Sequence, residues 1–352
     1  MKTSRLLSLA SLLLGLIVPT VLLASPLNQQ KPTVQKQLSF DNLAIPLRSF
    51  LQDQSIPGLS LVIVRDNQIV YKESFGWYHP DTILPIGSAA NVASVTAIMT
   101  LVDQGKLHLD DPVNKYITDW PVDKEQITVR QLLSHTSGIQ APPSPCYANS
   151  RLSVANCEQE IAKMPLQAEP GKGFIDSPND FEVAARIAEI ISGKNWNDFF
   201  DAAIGTPCGL SHFTYQNRLA TRMNPWIAGT AETDLDDYAK ILMIHLSNGS
   251  CGSTRILSDS SVLEMQKDNI GSVTIIQSPF NNYVTHYGLG WWIDTMYGYE
   301  VSEVVDPGMY GSIVWIDKRH NYAGFLMTEG GFAKSLYIWD QIRPLIARDI
   351  PY

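Results

Sequence analysis

The sequence predicts an α+β fold. One antiparallel sheet is built from segments at both ends of the chain, flanked by the first and last helices, with an all-helical insertion between. Three observations predict this. β-branched and aromatic runs occur near residues 59–76 and again beyond residue 287. Helical periodicity fills most of what lies between them. The strand runs are joined locally, and local hairpins imply antiparallel pairing, because parallel neighbours need long crossovers.

In chain order, Leu43, Leu47, Phe50 and Leu51 fall on one face of a helix over residues 41–54, which Pro57-Gly58 ends. Leu59–Arg65 and Gln68–Gly76 flank the turn pair Asp66-Asn67 and form a hairpin. Val92, Val95, Met99 and Val102 mark a helix over residues 88–106, with Gly105 near its end. Further helices are expected at 127–133, 181–192, 196–204, 233–246 and 258–266. The pattern then returns to strands at 287–295, 311–316 and 322–328, and a helix over about 333–347 closes the chain. The organisation expected is a signal segment at 1–25, a flexible lead-in at 26–38, a sheet domain from 39–87 with 285–352, and a mostly helical domain at 88–284.

Composition is that of an ordinary globular chain: 352 residues, 45% hydrophobic and 17% charged, which excludes disorder. A net charge of −9 argues against a phosphate-binding surface, so nucleic acid is not an expected partner. Lys2 and Arg5 precede an apolar run from Leu6 to Leu23, the layout of a secretory signal. Ala24-Ser25 is the expected cleavage neighbourhood. An uncleaved anchor is the alternative, although Pro19 interrupts the run. No membrane span is expected beyond this segment. Export places the four cysteines in an oxidising compartment. Cys146 and Cys157, eleven positions apart in a Pro-rich stretch, are expected to clamp a loop, leaving Cys208 and Cys251 as a second pair. The spacing alone leaves all three pairings open.

Several phrases, in consistent order from about residue 40 to 350, carry a family resemblance. IGSAANVASVTAIMTLVDQGKLHLDDPVNKYI opens the 88–106 helix. ITVRQLLSHTSGI (127–139), EPGKGF (169–174), ISGKNW (191–196) and YGLGWW (287–292) follow. Together these resemble the serine β-lactamase and penicillin-binding family, nearest its class C and esterase-like branch. The resemblance implies the α+β fold already read, with an active site between sheet and helices. It also implies three catalytic elements: Ser-x-x-Lys at a helix start, a Tyr ahead of another helix, and a Lys/His-Thr/Ser-Gly triplet on an edge strand facing the serine.

The first element puts Ser88 at the nucleophile position and Asn91 at the lysine position. A serine hydroxyl needs a proton acceptor, and an amide oxygen is not one. A helix N-cap is the structural reading of Ser88. The second element puts Asp176 where the tyrosine belongs and Pro178 at the Asn or Gly position. Asp176 reads chiefly as a cap or turn residue and alternatively as a carboxylate base. The third reads Asp306-Pro307-Gly308. Gly308 lets backbone approach the reacting centre, and the N–H groups of Ser88 and Met309 would form an oxyanion hole. Asp306 removes the cation that would attract a substrate carboxylate.

The remaining candidates are weaker. His135 in SHTSG reads as a framework residue with a local hydrogen bond. Of Trp291 and Trp292 one is expected in the core and the other facing the cleft. No His-x-x-x-His or His-Glu-x-x-His spacing supports zinc, and Asn91, Asp176 and Asp306 are a poor calcium set, so neither metal nor cofactor is expected. The function expected is that of an exported, periplasmic or secreted protein with an impaired catalytic set and a binding or scaffold role. The ligand expected is a small ester, amide or cell-wall-derived molecule. The alternatives are an active serine esterase or amidase using Ser88 with a non-standard base, and a cell-wall or glycan binding module. Oligomeric state is not legible.

Overall fold

Strand β1 (Gly58–Arg65) is apolar at almost every position because both of its faces are covered. Side chains alternate across a strand. Leu59, Leu61 and Ile63 accordingly join one core cluster, while Val62 and Val64 join another. Asp66 and Asn67 both take positive φ and turn the chain into β2 (Gln68–Gly76), which pairs antiparallel with β1. The chain returns to this sheet only near its end, with β3 (His286–Tyr287), β4 (Trp292–Asp294), β5 (Glu303–Pro307), β6 (Ile313–Asp317) and β7 (Tyr322–Thr328). The order across the sheet is β2-β1-β7-β6-β5-β4-β3, antiparallel throughout. The computed structural model describes residues 38–142, 144–149, 151–215, 225–280, 286–294 and 302–350. The expected signal segment and residues 26–37 of the expected lead-in lie outside them.

Helices α1 (Ala44–Asp53) and α5 (Phe332–Asp349) cover one face, with Leu47, Phe50, Ile338, Ile342 and Ile346 packed against Leu61, Trp315 and Leu326. The other face is covered by α4 (Leu235–Leu246), which packs on β1 and β7, and α2 (Ala90–Asp103) and α3 (Pro178–Ser192) share the core cluster on that side. Tyr238 of α4 stacks on Phe325 of β7 with ring centroids 4.1 Å apart. α2 is buried nearly all round, so it runs through the core with little amphipathic character. The insertion is helical but not wholly so. Short pairs such as Gly173–Ile175 with Thr274–Gln277 tie its loops together. Among the described residues no helix is long and apolar enough to cross a membrane.

Four expectations need correction. The strand expected over 287–295 is two short strands, because Gly288 and Gly290 turn the chain between them; Gly290 takes φ +77°. The triplet strand β5 is interior rather than an edge, since β4 and β3 pair outside it. Trp291 and Trp292 are both buried, one in each core cluster, so neither opens on a cleft. Cys146 and Cys157 are bonded, but the second bridge is not formed. The Cys208 and Cys251 thiols meet in hydrogen-bonding contact, and Cys251 Sγ also donates to Lys240 O at 3.7 Å.

Glu182 on α3 is fully buried, accepting the Ile227 N–H at 2.6 Å through Oε1 while Oε2 has no partner. Burial pushes its carboxyl up to about 8. A raised acid pKa means the folded state holds the proton where the unfolded state has lost it. Stability is therefore complete below about pH 4.5 and declines as pH rises towards 8, by up to about 1.4 kcal/mol per pH unit. Glu182→Gln mimics the protonated form. Urea unfolding at several pH values should show a flatter slope over this window than the parent chain, and equal slopes would contradict the assignment.

Candidate active site and the groups that replace its machinery

Ser88 lies in a 3-10 turn, Gly87–Ala89, that runs directly into α2. It is not the helix N-cap; that position is Ala89, already helical in conformation. The Ser88 hydroxyl makes no hydrogen bond to any described residue and is partly exposed. Beneath it, Tyr238 donates its hydroxyl to Ala89 O at 2.5 Å, fixing the turn to α4.

The turn after β5 packs against this segment. Gly308 donates its N–H to Ser312 O, and Ser312 Oγ donates to Ile86 O. A side chain at 308 has no room: its Cβ would stand 2.0 Å from Ile86 O. Gly87 takes φ +56°, and a Cβ there would come within 2.9 Å of Met309 N. The Met309 nitrogen thus sits against the residue preceding Ser88, while the Met309 side chain is exposed.

The other machinery positions converge on the same region. Asn91, on the first turn of α2, is buried, and its amide oxygen has no partner. Asp306 of β5 is fully buried, and neither of its carboxylate oxygens is hydrogen-bonded. Burial, then the nearby Asp176 charge, raises its carboxyl well above the usual range. Asp176 follows the strand Gly173–Ile175 and leads into α3. It neither caps that helix nor bonds within its turn, contrary to the role expected for it. Ser177 is the N-cap residue, without a side-chain capping bond, and Pro178 occupies the first turn, where its missing N–H costs nothing. Ser177 Oγ and Asn179 Nδ2 instead donate to Gln140 O, turning this segment inward.

That leaves the Asp176 carboxylate, about a third exposed, without a hydrogen bond among the described residues, and with His135 Nε2 3.6 Å away. His135 is buried and held in a left-handed conformation, φ +57°, costly for a non-glycine residue. Its hydrogen bond is not the local one expected but a long-range one: Nδ1 meets Asp180 Oδ2 at 3.0 Å, and Ser137 Oγ donates to the other Asp180 oxygen. Burial drops the imidazole to about 4, against the opposing pull of Asp176, so it is neutral at physiological pH. Asp180 and Tyr287 are site groups the sequence reading missed. Ser177-Pro178-Asn179-Asp180 reads as an ordinary helix start, which hides the inward turn of Asp180. Tyr287 is fully buried with an unpartnered hydroxyl, and Asp306, Asp176 and Asp180 all press on it.

Chemically, the described residues keep a serine whose turn lies against Met309 N, place an amide where a lysine is expected, and leave Asp176 as a carboxylate without a hydrogen bond. Metal-like spacing among the described residues occurs elsewhere, at Cys146, Cys157 and Glu182 and at His212, Asp234 and Asp237. The first pair of sulfurs is bonded. In the second group Asp237 already accepts from Ser211, His212 and Phe213 N–H and from Lys240.

A family profile described as Beta-lactamase matches residues 46–343. A curated relative from Escherichia coli O157:H7, named "Putative D-alanyl-D-alanine carboxypeptidase", is 30% identical over 231 residues, covering 56% of this chain and 51% of that one. The chain spans about half the length of the curated relatives it matches. Among solved structures, a Bacteroides dorei protein described as a "putative beta-lactamase" superposes with TM-score 0.77 at 25% identity, covering 87% of this chain and 98% of the other. An octameric penicillin-binding protein homologue from Pyrococcus abyssi gives TM-score 0.71 at 21% identity over 88% of this chain and 78% of its own, a likeness of fold alone.

Proposed function

The chain belongs to the Beta-lactamase family, and from the groups at its site we propose that it binds a small ligand in the inherited cleft without turning it over. The observation that carries this reading is Asn91 at the lysine position, buried and uncharged, one helical turn from Ser88. General-base assistance is worth roughly 10²–10⁴ in rate. Asp306 and Asp176, whose carboxyls burial raises, supply no positive charge to stabilise an alkoxide. Export, to the periplasm or outside the cell, is part of the proposal. It is supported by the Cys146–Cys157 disulfide and the signal-like pattern of the first 25 residues.

The test is covalent capture. Intact mass after incubation with a fluorophosphonate or a penicillin is expected to show no adduct, identical to Ser88→Ala. An adduct on the parent chain that Ser88→Ala abolishes overturns the reading. One observation favours a second reading, slow ester hydrolysis: the Asp176 carboxylate is uncommitted by hydrogen bonds, and burial raises its pKa, with His135 opposing. That reading requires p-nitrophenyl ester turnover lost in both Ser88→Ala and Asp176→Ala.

A further inference from the structure

Two cysteine pairs sit in opposite surroundings. Cys146 and Cys157 are fully buried and bonded. Cys208 and Cys251 are free thiols: Cys251 is buried, while Cys208, the last residue of the short helix Thr206–Cys208, keeps part of its surface in solvent. Thiol–disulfide exchange needs such a pair, one sulfur that a reagent can reach and a second within reach of the first.

Helix α4 brings the two together from distant parts of the chain. Lys240 donates its ammonium to the carbonyl of Gly209, the residue after Cys208, at 2.6 Å, and its own carbonyl accepts from Cys251 Sγ at 3.7 Å. Asp237 Oδ2 takes the N–H groups of Ser211, His212 and Phe213, so the segment beyond Cys208 is docked on the same helix. Cys251 is held from the other side: the strand Ser250–Cys251 pairs with Thr254–Arg255 and packs against α4. Both backbones are therefore fixed before any bond joins the sulfurs, and the thiols meet in hydrogen-bonding contact. That contact lowers the Cys251 thiol below its ordinary range; burial opposes the shift and the Lys240 charge reinforces it. The Lys240 charge remains after Cys208 has reacted, and it favours the Cys251 thiolate that a closing step needs.

We propose that Cys208 and Cys251 form a thiol–disulfide exchange site for a small-molecule disulfide, with Cys208 the entry thiol and Cys251 the resolving one. The Cys208 thiolate attacks one sulfur of the disulfide RSSR, and RS⁻ leaves. The Cys251 thiolate then attacks Cys208 Sγ of the mixed disulfide, and the second RS⁻ leaves. Two thiols become one disulfide, RSSR becomes two RSH, and the cysteine protons end on the released thiols. The external disulfide is the oxidant, and the export proposed above places the chain where such oxidants occur. The pair is thus an exchange site rather than a second structural clamp. Its closure braces α4, whose Tyr238 hydroxyl holds Ala89 O beneath Ser88.

The experiment treats the full folded chain, first reduced mildly enough to leave Cys146–Cys157 intact, with oxidised glutathione, followed by intact mass and non-reducing peptide mapping. Both thiols are expected to disappear together, with no glutathione retained and a new peptide joining Cys208 to Cys251. Cys251→Ser should keep one glutathione, on Cys208. Cys208→Ser should take up none, because its remaining thiol is buried. Dithiothreitol should reopen the Cys208–Cys251 bond before it touches Cys146–Cys157. Thiols that stay free overturn the proposal, as does a lasting glutathione adduct on the parent chain. So does glutathione on Cys251 in Cys208→Ser, or reduction of both disulfides together. Circular dichroism confirms that each variant is folded. Fluorophosphonate capture at Ser88 is scored separately, since an adduct there defeats the binding-only reading and leaves this inference standing.

Discussion

Asn91→Lys combined with Asp176→Tyr is expected to make Ser88 acylable. Intact-mass kinetics with a fluorophosphonate or a penicillin should show adduct formation faster than in the parent chain by roughly 10²–10⁴. The expectation follows from what the site retains. Ser88 sits in a turn pinned from below by Tyr238 and from the side by the Ser312–Ile86 bond. Gly308 and Gly87 keep the close approach that brings Met309 N alongside. What is missing is a base and a proton shuttle, and both missing groups map to single positions. Asn91→Lys alone should give a smaller gain, since proton delivery to the leaving group still lacks its phenol. A folded double variant as inert as the parent would mean that the backbone frame itself, rather than the two side chains, has lost competence.

How much of this was legible in the sequence depends on whether a feature is local. β1 and β2 were readable because β-branched runs flank a two-residue turn, and α2 because its apolar residues recur along one long segment. The strand over 287–295 was misread because Gly288 and Gly290 break it, and composition alone does not distinguish a bent strand from two short ones. The position of β5 depends on β3 and β4 pairing outside it, a long-range fact with no local signature. At the site, the serine retained at 88 and the changes at 91, 176 and 306 are readable by register within the family phrases. Their consequences were not. Asp176 had the sequence context of a capping residue, yet Ser177 and Asn179 take the backbone of Gln140 and leave it facing His135. Asp180 and Tyr287 escaped notice because one looks like a helix-start acid and the other like core. Only their meeting across more than a hundred residues reveals what they surround.

That meeting also supports a large effect on stability. Asp180→Ala is expected to destabilise the fold by about 3–5 kcal/mol, measured by urea unfolding at pH 7. Asp180 is the single side chain that satisfies both His135 Nδ1 and Ser137 Oγ, and all three groups are buried. Its removal leaves two polar groups without partners, each costing about 1–3 kcal/mol, and opens space beside Phe181, which packs edge-on to the His135 ring at 4.8 Å. It also frees a residue held at φ +57°, so the backbone at 135 has less reason to keep its strained conformation. Asp180→Asn keeps an acceptor of the same shape for Ser137 and a group that can adapt to either imidazole tautomer. Its cost should stay below about 1.5 kcal/mol, the net worth of a typical hydrogen bond. Comparable losses in the two variants would mean that negative charge, rather than hydrogen-bond matching, is what position 180 supplies.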